Sequence, residues 1–175
     1  MSKQPGMELY YQYLLSKNGE VYKKSRRRVA HSFVTGFTKL LYGDFGNTIA
    51  TTEDTGNTSR AFTPFYSQTV VNASAGVSAY GLVVGTGTNA INVGDYALQT
   101  QIAHGAGAGQ LQYSQSTIAE PDFTSTTGEL TLTRLFTNAS GGDITINEIG
   151  IYVISGSWYL CIARDLATIA VTNGS

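Results

Sequence analysis

Three charged residues lie inside otherwise apolar runs of this 175-residue chain: Arg134, Glu148 and Arg164. Arg134 shares the alternation of Leu130, Leu132 and Phe136, and Glu148 that of Ile144 and Ile146. Arg164 has the parity of Trp158, Leu160 and Ile162. A period of two marks strands, so each charge falls on the apolar side of a sheet. Folding the first two runs about the 140–142 loop sets Phe136 against Ile146 and Arg134 against Glu148, with Arg164 as the alternative partner. One reading is a carboxylate tuned by a neighbouring cation for acid–base work. Ion-pair networks perturb pKa values without being sites. The favoured reading is therefore a structural pair, Arg134 or Arg164 with Glu148, that fixes strand register. Burying either charge unpaired costs several kcal/mol.

Other candidate chemistry is thinner. Gly85-Thr86-Gly87-Thr88-Asn89-Ala90 fits the G-x-G-x-x-A form of a dinucleotide loop. No helical pattern follows it, and no acidic residue stands about twenty positions on. His31 and His104 are far apart, without partners at metal-ligand spacing, so neither a zinc site nor a triad is expected. Cys161, the single cysteine, sits inside a strand pattern and reads as a buried, inert thiol. Glu53, Asp54 and Asp143 lie in loop-like sequence without a spaced series of oxygen ligands. No cofactor is expected.

The one strong charge run is Lys23-Lys24-Ser25-Arg26-Arg27-Arg28, with Tyr10, Tyr11, Tyr13 and Tyr22 interleaved before it. Basic and aromatic residues together suit either nucleic acid or an acidic protein surface. The net charge is −1, so docking on protein, or plain protection of a strand edge, is preferred over nucleic acid.

The elements that must position these residues are mostly strands. Charged residues make up only 13% of the chain while glycine, threonine, serine and asparagine abound, a balance that suits an all-β protein. The expected fold is a two-sheet antiparallel β-sandwich, jelly-roll-like, with one short helix over 33–42 capped by Ser32. Residues 1–30 form a polar arm (1–6) and a hairpin turning at Asn18-Gly19; residues 31–175 form the sandwich. Further strands are expected at 61–65, ending near Pro64, at 76–84, and from 110 to 114. Loops are expected at 47–59 and 117–126, and a helical turn at 95–101. Residues 128–166 read as a three-stranded meander, followed by a short strand at 167–172. That last strand ends in an Asn173-Gly174 turn, so its open edge is expected to be covered by another chain. No apolar run approaches the roughly 20 residues of a membrane span, and no secretory signal is evident. A soluble protein made in a cytoplasm is expected.

The meander also resembles a pattern in structural proteins of tailed bacteriophages. There a strand T-R-x-F-x-N is followed by a glycine turn, then I-T-(V/I)-N-E-I-G-(L/I)-Y, then L-x-A-R-D. The corresponding stretches are TRLFTNASGGDITINEIGIYV and LCIARDL. Upstream, VVGTGTNAINVGDYAL and the His31-Ser32-Phe33-Val34 segment are similar to it as well. The resemblance implies a non-enzymatic virion protein assembled in the host cytoplasm. A capsid decoration (cement) protein ranks first, and a tail, adaptor or tail-tip component second. Its implied partners are other virion proteins, the major capsid protein or tail and connector proteins, and further copies of itself. The candidate interface is Tyr10, Tyr11, Tyr13, Tyr22, Lys23, Lys24, Arg26, Arg27 and Arg28. A reading of another class is a carbohydrate-binding module, which would need Trp158 open in an aromatic groove.

Overall fold

The computed structural model describes residues 7–30, 33–46, 49–62, 69–124 and 128–175. The chain is mostly β, with several antiparallel sheets and one short helix in a sandwich-like arrangement. The arm at 1–6, His31, the capping Ser32 and Pro64 lie outside the described residues.

The amino-terminal hairpin has two halves. β1 (Leu9–Tyr11) pairs with β4 (Arg28–Ala30), and β2 (Leu14–Lys17) with β3 (Glu20–Lys24). Asn18 and Gly19 turn the chain at φ 51° and 82°, the left-handed positions that this dipeptide favours. Where the strands break, Tyr13 and Ser25 hold them together: Ser25 N–H donates to the Tyr13 carbonyl, and Tyr13 N–H to Ser25 Oγ. Leu15 enters the core, whereas all of β3 is exposed.

Helix α1 (Thr35–Gly46) starts two residues later than the apolar stripe predicts and runs on to Gly46. It lies close against the sheet. A Cβ on Gly36 would stand 2.2 Å from the Cys161 carbonyl oxygen, so only glycine permits this approach. The loop expected at 47–59 is instead a hairpin of β5 (Ala50–Glu53) and β6 (Ser59–Phe62). Threonine suits an exposed strand as well as a loop, so composition misreads it. Asp54 closes the turn by accepting the N–H groups of Gly56 and Thr58.

Strands β7 (Thr69–Val70) and β8 (Gly81–Gly85) come next, the latter shorter than the 76–84 reading. No helical turn forms at 95–101; Gln101 instead bridges to Gly85 along the edge of β8. β9 (Gln112–Tyr113) leads into β10 (Thr117–Ile118) and β11 (Asp122–Phe123), where a loop was expected. These two pair with β13 (Leu132–Thr133) and β12 (Gly128–Glu129), making a narrow ribbon. β14 (Phe136–Thr137) returns to β9.

Two long strands, β15 (Ile144–Ser155) and β16 (Trp158–Val171), form the backbone of the fold. They pair along their whole length, with two register irregularities, and β7 and β8 line the other edge of β15. The three-stranded meander is therefore corrected. The 128–136 run pairs upstream with β9–β11, not with β15, because the 138–143 segment crosses between sheets instead of closing a hairpin. Asn138 fixes that crossing by donating its amide to the carbonyls of Gly142 and Val171. The strand expected at 167–172 is the end of β16. After the Asn173-Gly174 turn the partner comes from the same chain: Gly174 N–H donates to Asn138 O and Asn138 N–H to Ser175 O, each at 2.7 Å.

The main core gathers Val83, Val84, Leu98, Leu111, Ile146, Tyr152 and Ile169. A smaller cluster places Leu40 and Ala50 against Val153 and Leu160. Among the described residues no helix is long and apolar enough to cross a membrane.

Candidate functional site

Among the described residues Glu148 is the most enclosed charged side chain, fully buried. β15 directs it beneath the 85–100 segment. Its Oε1 accepts the N–H groups of Thr100 at 2.7 Å and Gly87 at 3.1 Å. Its Oε2 accepts Gln99 N–H at 2.9 Å and Arg164 Nε at 3.0 Å. Arg164 continues outward, through Nη1 to Asp95 Oδ2 at 2.7 Å and through Nη2 to the Asn89 carbonyl at 3.1 Å. Gln99 in turn accepts the N–H groups of Thr88 and Asn89. Burial alone would lower the Arg164 pKa, but its hydrogen bonds to Asp95 and Glu148 outweigh it and hold the guanidinium above its ordinary value.

This network accounts for the glycine loop. A Cβ on Gly85 or Gly87 would stand 2.5 Å from Glu148 Oε1, so both glycines exist to let backbone approach a carboxylate. The nucleotide-like spacing binds an anion, and the anion is a side chain of the same protein.

Arg134 does not meet Glu148. Its sheet register differs from the expected one, and the side chain enters a cage of backbone carbonyls. Nε donates to Ser114 O at 2.8 Å, Nη1 to Tyr80 O and Leu82 O at 3.1 Å, and Nη2 to Val77 O and to Ser74 O at 3.3 Å. The Tyr113 ring lies 4.7 Å from the guanidinium carbon. Burial lowers the Arg134 pKa, opposed by Tyr113 and Tyr80. Burial also raises the Tyr113 phenol to about 12.

The candidate interface divides in two. Tyr11 and Tyr13 turn inward: both pack against the core, and the Tyr11 hydroxyl donates to Leu166 O. Tyr10, Tyr22, Lys23, Lys24, Arg26, Arg27 and Arg28 are exposed. Arg27 stacks over Tyr10 at 4.3 Å and pairs with Glu129 of the ribbon at 2.9 Å.

The remaining candidates hold ordinary places. The His104 ring accepts Tyr113 N–H at Nδ1 and is otherwise exposed. Burial pushes the Cys161 thiol up to about 12, beyond useful nucleophilicity. A cleft of about 280 Å³ between α1, β5 and the 94–96 segment is lined by threonines, Glu53 and Asp95, but Asp95 is held by Arg164. Arg60 covers one face of the Trp158 indole at 3.6 Å, leaving that face closed to a sugar ring. Among the described residues no group of three His, Cys, Asp or Glu could hold a metal.

Sequence reasoning missed the backbone N–H donors of Gly87, Gln99 and Thr100. It also missed Asp95, although D-Y-x-L was part of the noted pattern. Comparison with protein-family models, with curated proteins and with solved structures finds no match to this chain.

Proposed function

We propose that the chain is a non-enzymatic structural component of a bacteriophage particle, foremost a capsid decoration protein that docks on other virion proteins and on copies of itself. The observation that carries this reading concerns the polar residues of the phage-like pattern. Arg134 and Asn138, Glu148 and Arg164, and Asp95 are all committed to internal hydrogen bonds. The pattern is thus a folding signature, with its charges turned inward to stiffen a shell of low surface charge. The basic, tyrosine-bearing hairpin stays outside and is open to partners. A tail or adaptor position uses the same surface and remains the second placement within this reading.

The test is the particle itself. Mass spectrometry of purified virions should find the chain in stoichiometric copy number, and labelling should place it on the capsid exterior. Absence from the particle overturns the reading; a tail location shifts it to the second placement. Because Leu15 belongs to the core, deleting the hairpin would damage folding as well as docking. Lys23→Glu with Lys24→Glu is the cleaner probe, expected to reduce incorporation while leaving thermal stability unchanged.

A further inference from the structure

The ribbon of β10–β13 stands out because it lacks a core. Ile118, Phe123 and Leu130 on it are 45%, 74% and 61% exposed. A two-stranded ribbon bare on both faces is marginal in water. Its charges have one sign: Glu120, Asp122 and Glu129, with no lysine or arginine from 117 to 133. The amino-terminal hairpin is its complement. Between residues 9 and 30 it carries six basic residues against the single Glu20, and it exposes Leu14, Val21 and Tyr22 at more than half of their surface.

Among the described residues the two meet within one chain at one ion pair, Arg27–Glu129, with both side chains about half exposed at 50% and 49%. That pair uses only the β12 strand of the ribbon and the β4 end of the hairpin. Glu120, Asp122 and Phe123, on the opposite strand and just before it, remain exposed, as do Tyr22, Lys23 and Lys24 toward the hairpin turn. Each element therefore keeps an unused half with the charge and apolar character that the other lacks.

We propose that these unused halves bind each other between copies: the acidic ribbon strand of one molecule seats Phe123 against Tyr22 of the next, with Glu120 and Asp122 on Lys23 and Lys24. The contact joins different patches, so it is head-to-tail and leads to a closed ring or an open row rather than a two-fold dimer. This rests on the reading of the chain as a self-associating structural protein, and names the surfaces.

The experiment uses the isolated full chain, with native mass and sedimentation as readouts. Assemblies larger than a dimer that dissociate as salt is raised are expected. Glu120→Lys with Asp122→Lys should leave only monomer, as should Lys23→Glu with Lys24→Glu, each with an unchanged melting temperature. Mixing the two reversed chains should restore assembly in alternating order, since each then offers what the other lacks. Phe123→Ser, which alters no charge, should also yield monomer. A wild-type monomer at every concentration overturns the proposal. So does assembly that survives charge reversal, or a mixture that stays monomeric. Assembly by a chain that is absent from virions would leave this interface standing and remove the phage reading. A virion protein that is monomeric when isolated would do the reverse.

Discussion

Arg134, between β13 and β14, and Arg164, on β16, are both buried arginines, and they are neutralised in opposite ways. Arg164 touches two carboxylates, Glu148 and Asp95. Arg134 touches none among the described residues and relies on five carbonyls and the Tyr113 face. The first arrangement sets one guanidinium against two carboxylates, and removing the arginine strands both. The second balances a charge with dipoles, and losing the arginine strands only neutral acceptors. A buried cation thus needs either a counterion or enough aligned carbonyls, and this fold contains one case of each.

The comparison can be broken most severely at Glu148. Glu148→Ala leaves Arg164 Nε and the N–H groups of Gly87, Gln99 and Thr100 without their acceptor, and should destabilise by about 3–5 kcal/mol in denaturant titration. Arg164→Met added to it should cost far less than the two singles summed. Arg134→Met should cost less, about 1–3 kcal/mol, because it strands carbonyls instead of charges. Combined with Glu148→Ala it should be additive within about 0.5 kcal/mol, the two residues having no partner in common. Strong coupling there would restore the Arg134–Glu148 pairing that the alternation predicts.

Gly87→Ala sharpens the comparison from the loop side. Its Cβ would press on Glu148 Oε1 and Gln99, at a cost of about 1–3 kcal/mol for overpacking. The smallest effect belongs to Asp54, which is itself buried but pairs with a partly exposed Arg60. The Arg60 hydrogen bond holds its carboxyl below the usual aspartate range, against a desolvation that raises it. A depressed carboxylate contributes stability above its unfolded pKa and loses it as pH falls through the folded value. Asp54→Asn should therefore narrow the stability difference between neutral pH and pH below about 4, by no more than a surface pair supplies.

Much of this was legible in the residues. The alternation at 144–155 marks a strand with one buried face, and the parity of Arg164 with Leu160 makes it a partner for Glu148. Asn18-Gly19 announces its turn. What misled was treating Asn138-Ala139-Ser140-Gly141-Gly142-Asp143 as a hairpin loop. The same residue types serve a crossing between sheets, and nothing local distinguishes the two. The β5–β6 hairpin and the β10–β11 half of the ribbon were hidden for a related reason: short, exposed strands lack the apolar alternation that identifies a strand. The 95–101 segment could not be read locally at all. Its backbone donors are satisfied by a carboxylate about fifty residues away, and that acceptor overrides any helical tendency.

That separation governs how the molecule comes apart. The groups around Glu148 arrive from 61 residues upstream at Gly87 and 16 downstream at Arg164. They can converge only after β15 and β16 have paired, and closing such loops early is entropically unfavourable. The knot therefore completes late in folding and is the first barrier met on the way out. Interactions formed after the transition state slow unfolding without speeding folding. Glu148 and Arg164 are thus expected to act chiefly as a brake on unfolding, with Glu148→Ala raising the unfolding rate more than it lowers the refolding rate in stopped-flow measurement.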